Sequence, residues 1–283
     1  MVDDYLELLK RVLTGSVFPE SADQPMRPTT DPSPRAIIRN FIINIAAKKN
    51  IRLVKCGRYD VAAREEGRDW PSIAYTMIGM KRLNNVQHSI EIALSQKILG
   101  DIVECGVWRG GCAIFMRAVL NAHNISDRTI WAVDSFEGLP RPDAPKYPAD
   151  QGYDLSQSDY LSVPLEVVRG NFDRFGLLDH QVQFLRGWFK DTLPTAPIAK
   201  IAVLRADGDL YESTLDILNN LYDKVSPGGF VIIDDYYSWQ PCNRAVTEFR
   251  ASRGITAPIE TVDWTGAYWR VPESQESALL KSA

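Results

Sequence analysis

Four carboxylates stand at the ends of two apolar runs in the C-terminal half of the chain: Asp207, Asp209, Asp234 and Asp235. Each run has the composition of a buried β-strand, and neighbouring parallel strands end at the same edge of a sheet. Negative charges held that close raise each other's proton affinity unless a cation neutralises them. Mg²⁺ is held by a few carboxylates plus water or substrate. The pattern therefore predicts a metal site formed by Asp207, Asp234 and Asp235, with Asp209 as a further ligand or a helix cap. A spare carboxylate can accept the proton of a metal-held hydroxyl.

A glycine-rich turn follows the first apolar run of this half. Gly106 comes directly after the run, and two further glycines precede the next helical pattern. The spacing is not GxGxxG, so it does not favour a pyrophosphate ligand. The next run ends in Asp134, where an acid commonly accepts hydrogen bonds from ribose hydroxyls. Together these features favour an adenosine-containing ligand without a pyrophosphate, namely S-adenosylmethionine, with Glu104 near its methionine or ribose portion.

Aromatic side chains adjoin both groups of residues. Trp188, at the end of the third predicted strand, is expected to stack on adenine or to pack in the core. The cluster after the acid pair is expected to form a face for a sugar or polyketide ring, or to pack in the core; it comprises Tyr236, Tyr237 and Trp239. No histidine adjoins a serine or cysteine in a nucleophile-like setting. A hydrolytic triad and a histidine-rich zinc site are therefore not expected.

Short apolar runs alternate with helical patterns from residue 101 onward. The predicted strands are Asp101–Val107, Thr129–Ser135, Val182–Trp188, Ile201–Asp207 and Gly229–Asp235. The helical patterns between and after them are Cys112–His123, Val163–Phe175, Ser213–Lys224 and Asn243–Arg253. This alternation predicts an α/β fold with a doubly wound parallel sheet. Ile259–Trp264 and Gly266–Val271 predict an antiparallel hairpin that completes the sheet.

The residues before the sheet are predicted to form a separate helical cap. We expect an N-terminal cap over 1–98 with a Pro-rich flap at 16–34, a catalytic domain over 99–273 and a tail at 274–283. Helical periodicity in the cap is found at Tyr5–Leu13, Ala36–Lys49, Tyr75–Arg82 and Val86–Leu99. The long loop Phe136–Tyr160 is expected to be a lid or to be disordered.

Composition narrows the function classes. The 283 residues carry a net charge of −4, which argues against a nucleic-acid partner because phosphate contacts need a basic field. No basic-plus-apolar leader and no apolar run of membrane-spanning length occurs in the sequence. The four cysteines form no CxxC pair, which favours reduced structural thiols and a cytoplasmic location.

Six motifs resemble those of the macrocin O-methyltransferase family, in order, over roughly residues 70–271. The matching segments read YTMIGMKRL from Tyr75, DIVECGVWRGG from Asp101, VDSFEGLP from Val133, DGDLYEST from Asp207, SPGGFVIIDDY from Ser226 and DWTGAYWR from Asp263. The resemblance implies a class I S-adenosylmethionine-dependent methyltransferase (Rossmann-like) fold with a seven-stranded mixed sheet. It also implies Mg²⁺ dependence, a hydroxyl of an antibiotic sugar as acceptor, and a homodimer.

Residue roles follow from the same resemblance, position by position. Asp207, Asp234 and Asp235 would bind Mg²⁺, and Asp207 would be the catalytic base, with Asp209 as the alternative. The residues expected to bind S-adenosylmethionine are Met77, Glu104, Gly106, Asp134, Ser135 and Trp188. The acceptor would be a small glycosylated molecule, and neither a nucleic acid nor a membrane is expected as a partner.

Three other functions are compatible with parts of the sequence. A catechol- or phenol-type O-methyltransferase would also use vicinal hydroxyls that chelate Mg²⁺. A methyltransferase-like scaffold without catalysis is disfavoured because the glycine turn, Asp134 and all four carboxylates are present. An NAD-dependent oxidoreductase is disfavoured because GxGxxG is absent.

Overall fold

A seven-stranded mixed sheet lies at the centre of the computed structural model, which describes residues 2–272. The strands in chain order are β1 (Gln24–Pro25), β2 (Val54–Lys55), β3 (Asp101–Cys105), β4 (Ile130–Asp134), β5 (Val182–Arg186), β6 (Ile201–Ala206), β7 (Val225–Ile233), β8 (Glu260–Thr261) and β9 (Ala267–Arg270). The first two form a small separate antiparallel pair. The order in the main sheet is β5-β4-β3-β6-β7-β9-β8.

The helices flank the main sheet on both faces. In chain order they are α1 (Val2–Leu13), α2 (Pro34–Lys48), α3 (Val61–Glu66), α4 (Met80–Ser95), α5 (Gly111–Ala122), α6 (Leu165–Arg174), α7 (Phe189–Thr192), α8 (Tyr211–Leu221) and α9 (Gln240–Ser252). Single 3₁₀ turns occur at Pro19–Ala22, Pro148–Asp150, Leu193–Thr195 and Tyr222–Lys224. Within residues 2–272, no helix is long and apolar enough to cross a membrane.

The predicted sheet is confirmed, including its antiparallel end. Strands β3 to β7 are mutually parallel, whereas β9 pairs antiparallel with both β7 and β8. The chain order reverses between β3 and β6, so a crevice opens between the carboxyl ends of these two strands. This crevice is where ligands bind in open α/β sheets.

Alternating side chains of the central strands build two cores. Ile102 and Val203 point into the core shared with α1, α4 and α5, and Val103 and Leu204 point into the core shared with α8 and α9. Because both faces of β6 are covered, every one of its residues is buried. A charged residue in such a strand needs a partner in the interior, which is the situation of Arg205.

One helix replaces the two helices predicted over Tyr75–Arg82 and Val86–Leu99, so that prediction was wrong. Residues 75–79 are not helical, because the Tyr75 and Thr76 backbone N–H groups donate to the Leu13 carbonyl at 2.8 and 3.2 Å. Helix α4 then runs without a break to Ser95, since its buried side chains form one continuous stripe: Leu83, Val86, Ile90 and Ala93.

The Pro-rich flap at 16–34 contains regular structure at both ends. Pro19–Ala22 forms a 3₁₀ turn, and β1 pairs with β2 from beyond α2. Ser33 then caps α2, its side chain accepting from the Ala36 N–H at 3.3 Å. The division of the chain into a cap and a catalytic domain stays a prediction, and the predicted tail at 274–283 lies outside the described residues.

The long loop Phe136–Tyr160 is attached to the fold by a buried carboxylate. Asp150 is fully buried, and its oxygens accept from the Tyr211 and Glu212 N–H groups at 2.6 and 3.2 Å. These are the first two residues of α8, whose N-cap residue, Leu210, has no side-chain acceptor. Asp150 therefore caps α8 from a distant part of the chain and holds the loop against it.

We expect Asp150→Ala to lower the free energy of unfolding by about 1–2 kcal/mol, because two backbone donors at the start of α8 lose their acceptor. Chemical denaturation of both proteins, followed by circular dichroism, measures the difference. Asp154→Ala is the matched control, since Asp154 is exposed and accepts only from Ser156 in the same loop. Equal midpoints for Asp150→Ala and the wild type would contradict the capping role.

Candidate active site

One cavity of about 400 Å³ lies at the carboxyl ends of β3, β4, β6 and β7. It is lined by all nine residues that the sequence analysis assigned to the site: Met77, Glu104, Gly106, Asp134, Ser135, Trp188, Asp207, Asp234 and Asp235. Asp209 also lines it. Parallel strands carry these residues to one edge because each strand ends beside its neighbour, as Ala206 does beside Ile233.

Asp134 holds the glycine-rich turn in place. Its Oδ2 accepts from the Val107 N–H at 2.7 Å and from the Trp108 N–H at 3.4 Å, and its Oδ1 accepts from the Phe136 N–H at 2.7 Å. Burial raises the pKa of this carboxyl, although the backbone hydrogen bonds oppose the rise. Trp108 and Phe136 adopt positive φ angles of 48° and 58°, conformations that non-glycine residues rarely take. The acid thus fixes two strained turns at the cavity wall.

Gly106 is required by the fold as well as by the cavity. Its φ is +88°, and a Cβ atom at this position would lie 2.1 Å from the Asp207 carbonyl oxygen. A Cβ at Gly111 would likewise lie 2.4 Å from the Tyr75 carbonyl oxygen. The glycines of this turn therefore allow close approach of the protein's own backbone, which brings the end of β3 against the end of β6.

Glu104 and Arg205 form a fully buried ion pair across the switch point. They are register partners on β3 and β6, and the Arg205 Nη1 donates to Glu104 Oε1 at 2.8 Å. The other carboxylate oxygen, Oε2, is buried without a hydrogen-bond partner. Burial raises the pKa of Glu104 to about 7, with the Arg205 charge opposing the rise. The neighbouring Cys112 thiol also interacts with this carboxylate and opposes the rise.

Two arginines connect the acidic residues below the cavity. Arg205 Nη2 lies 2.5 Å from Asp234 Oδ1 and 3.0 Å from Asp207 Oδ2. Arg82 reaches the same aspartate from α4, with Nη1 2.5 Å from Asp234 Oδ2, and its Nε lies 3.0 Å from Asp263 Oδ2. Burial disfavours the ionised form of Asp234, but the two arginines outweigh it and lower its pKa. Asp234 is therefore ionised and fixed in orientation.

The remaining carboxylates are compensated less: Asp207 shares the Arg205 guanidinium with Asp234, and burial outweighs that contact. Burial, and then the negative charge of Asp234, raise the pKa of Asp207 to about 6. Burial and the Asp207 charge raise the pKa of Asp209 to about 8. The pKa of Asp235 is raised well above its usual range by burial and by its neighbours. The carboxyl groups of the cluster outnumber the two guanidinium groups, so the cluster attracts further positive charge.

The cluster fits a divalent cation. One carboxylate oxygen from each of Asp207, Asp234 and Asp235 lies within 4.8 Å of the other two. Oxygens bound to a single Mg²⁺ at about 2.1 Å lie up to about 4.2 Å apart, so a small contraction suffices. Oδ2 of Asp235 is buried without a hydrogen-bond partner, and a bound cation would supply the missing partner. Asp209 adopts φ +52° beside them.

The other predicted residues take peripheral positions in the cavity. Met77 and Trp188 are half-buried on its walls. Ser135 is buried, and its hydroxyl donates to the Gly138 carbonyl at 2.8 Å and accepts from the Glu137 N–H at 3.0 Å, so it also shapes the turn. In the aromatic cluster after the acid pair, Trp239 lines the cavity but Tyr236 and Tyr237 do not.

Several site residues were missed by sequence reasoning. Arg205 had a visible signal, because a charged residue inside an apolar strand requires a buried partner. Arg82 and Asp263 lie within the quoted motifs, but nothing in the motifs shows that Arg82 joins Asp234 to Asp263, because these two contacts span 152 and 181 residues. Trp70 and Trp264 also line the cavity. Trp264 was predicted to end a strand, but the strand ends at Thr261 and Trp264 lies in the turn that follows.

Comparisons with known proteins identify the family of the chain. The family described as Macrocin-O-methyltransferase (TylF) matches residues 2–271. The chain is 48% identical over 269 residues to the 8-demethyl-8-(2,3-dimethoxy-alpha-L-rhamnosyl)-tetracenomycin-C 4'-O-methyltransferase of Streptomyces olivaceus, covering 95% of this chain and 92% of that protein. It is 51% identical over 211 residues to the mycinamicin III 3''-O-methyltransferase of Micromonospora griseorubida, covering 74% and 83% of the two chains.

A solved structure extends the comparison to the fold. The structure of the O-methyltransferase NovP superimposes with a TM-score of 0.82 at 44% sequence identity, covering 96% of this chain and all of that one. The sheet order, the acid-ended strands and the glycine turn described above are those of a class I S-adenosylmethionine-dependent methyltransferase. The chain belongs to the macrocin O-methyltransferase family and is an S-adenosylmethionine-dependent O-methyltransferase.

Proposed function

We propose that this enzyme methylates a hydroxyl of a deoxysugar on a glycosylated natural product, with Mg²⁺ bound beside the donor site. The observation that carries the proposal is the convergence of Glu104, the Gly106 turn and the aspartate cluster in one cavity. Two relatives bear names that specify methylation of glycosylated antibiotics, a rhamnosyl tetracenomycin and mycinamicin III. The same acceptor class is proposed here.

The donor site would be formed by the β3 and β4 ends of the cavity. Bound S-adenosylmethionine supplies a methyl group activated by a positively charged sulfonium. Glu104 lines this end of the cavity, and its carboxylate would favour a cationic ligand there. Asp134 retains acceptor capacity for ribose hydroxyls beyond its backbone bonds. The remaining contacts are assigned to Met77, Gly106, Ser135 and Trp188.

The acceptor site would be formed by the aspartate cluster. Asp207, Asp234 and Asp235 would hold Mg²⁺, which supplies a Lewis acid that lowers the pKa of a hydroxyl bound to it. Asp207 would accept the hydroxyl proton as the oxygen attacks the methyl carbon, and Asp209 is the alternative base. Because Arg82 and Arg205 fix Asp234, the site is held in one geometry before the substrate binds.

Transfer of a labelled methyl group to a sugar oxygen tests the reaction. With S-adenosylmethionine, Mg²⁺ and a panel of deoxysugar glycosides, we expect a mass increase of one methyl, located on the sugar by tandem mass spectrometry. Catechol serves as the comparison acceptor. Methylation of catechol with no methylation of any glycoside would contradict the proposal and favour a phenol-type enzyme.

Removal of the metal or of one ligand tests the role of the cluster. We expect saturating EDTA to abolish turnover and Mg²⁺ to restore it. Asp235→Asn should lower kcat by about 100-fold or more while the Kd for S-adenosylhomocysteine stays within about threefold, because the amide removes a charged ligand but leaves the donor site intact. Exposed Asp191, outside the cavity, provides the control variant Asp191→Asn. Full turnover in EDTA would contradict a metal-dependent reaction.

We further propose that a second copy of the chain covers α2. Five large apolar side chains of this helix are between 42% and 65% exposed: Ile37, Ile38, Phe41, Ile42 and Ile45. Segment 27–58 carries eight Lys or Arg and one Asp, a net charge of +7, which leaves −11 on the rest of a chain whose total is −4. A second copy therefore offers both an apolar surface and opposite charge.

Light scattering coupled to size exclusion tests this contact. We expect the wild type to elute at twice the chain mass of 31.8 kDa and the variant with Ile38→Glu and Phe41→Glu to elute at the mass of one chain. Two buried carboxylates without partners would cost more than the interface provides. Leu99→Glu is the control, because Leu99 is 63% exposed away from α2. An unchanged mass for the double variant would contradict the proposed interface.

A further inference from the structure

Two tryptophans at the mouth of the cavity are unusually exposed. Among the large apolar side chains that the described part of the chain leaves exposed, Trp70 and Trp264 are the two that also line the cavity, with 53% and 36% of their surface exposed. Indole rings are large apolar surfaces that are normally covered. Their exposure at a cavity mouth indicates a surface that a ligand covers.

Each of these rings is held in place by its surroundings. The Trp70 ring lies 5.1 Å from the Tyr160 ring, whose hydroxyl donates to the Pro71 carbonyl at 2.8 Å. Tyr160 in turn lies 5.2 Å from the Trp108 ring. On the other segment, Trp264 Nε1 donates to the Glu66 carbonyl at 2.8 Å, which ties the Trp264 turn to the segment that carries Trp70. A rigid ring loses little conformational entropy when a ligand stacks on it.

The chemistry of the mouth differs from that of the floor. The floor carries the aspartate cluster, which suits a hydroxyl and a cation. The mouth carries the two exposed indoles, and Leu155 of the long loop that Asp150 anchors also lines the cavity. A ligand that satisfies both regions has a polar, hydroxyl-bearing end and a flat apolar end. A free sugar has the first of these and lacks the second.

We propose that Trp70 and Trp264 form an aglycone platform that selects acceptors whose sugar is attached to a planar, apolar ring system. This inference rests on the proposed sugar O-methylation and adds the class of aglycone and the residues that recognise it. The sugar hydroxyl would lie on the aspartate floor while the planar rings stack at the mouth. Both tryptophans are specificity residues that contact the part of the substrate that does not react.

A pair of glycosides with the same sugar tests the platform. We would titrate 4-methylumbelliferyl α-L-rhamnoside and methyl α-L-rhamnoside into the protein with saturating S-adenosylhomocysteine and Mg²⁺, by calorimetry. The wild type should bind the umbelliferyl glycoside about tenfold more tightly, in keeping with the strength of aromatic stacking plus the area buried. Trp70→Ala and Trp264→Ala should each remove most of that preference and leave the methyl glycoside unaffected.

Conservative and neighbouring variants separate stacking from general damage. Trp70→Phe and Trp264→Phe should retain part of the preference because they keep an aromatic face. Ile73→Ala is the matched control, since Ile73 is 47% exposed on the same segment but does not line the cavity. The Kd for S-adenosylhomocysteine should be the same in all variants, which would show that the site remains folded.

Three outcomes would overturn the platform. The first is equal affinity of the wild type for the two glycosides, including no binding of either. The second is an equal loss of affinity for both glycosides in the alanine variants, which would place the indoles against the sugar. The third is an unchanged affinity for both glycosides in every variant. Failure of the proposed reaction would be observed separately. Absence of methylation of every deoxysugar glycoside in the panel would contradict the proposed function, whereas the binding preference would still measure the platform.

Discussion

The buried guanidinium of Arg205 is the charge on which the arrangement of this active site depends. It stands on the fully buried strand β6 and contacts three carboxylates that arrive on three different strands: Glu104, Asp207 and Asp234. Without a cation at this position, these acids would repel one another where most of their surface is removed from water. Removing one partner of such a network leaves uncompensated buried charge, which is strongly destabilising.

Arg82, on helix α4, also pairs with buried carboxylates. It is almost fully buried, and it joins Asp234, directly after β7, to Asp263 in the turn between β8 and β9. The helix α4 is thereby locked to the sheet through charge as well as through its apolar stripe. Even so, the two arginines do not neutralise the cluster, as the raised pKa values of Asp207 and Asp209 indicate. This remaining negative charge suits a site that binds a cationic methyl donor and a divalent metal.

The segments around the sheet complete the cavity and give it two chemically distinct regions. Asp150 fastens the long loop to α8, so the loop forms part of the wall instead of a free lid. The Trp70 and Trp264 segments are linked to each other by the Trp264–Glu66 hydrogen bond and form the outer rim. The polar floor therefore derives from the ends of the sheet strands, whereas the rim derives from segments that connect the helices and strands.

The sequence alone determined the α/β class and the five parallel strands with their antiparallel end, because each depends on a local pattern. Local pattern also singled out most of the predicted cavity residues, whereas Met77 and Ser135 came from the resemblance to the family. An apolar run followed by an acid or a glycine specifies both a buried strand and the chemistry at its end. Only the tertiary structure decided the contacts between distant segments: Arg82 with Asp234 and Asp263, Asp150 with the start of α8, and Trp264 with Glu66. It also replaced two predicted helices over 75–99 with the single helix α4, because the Tyr75 and Thr76 N–H groups bond to the Leu13 carbonyl. Periodicity describes neighbours along the chain, whereas these features arise from groups that meet only after the sheet has formed.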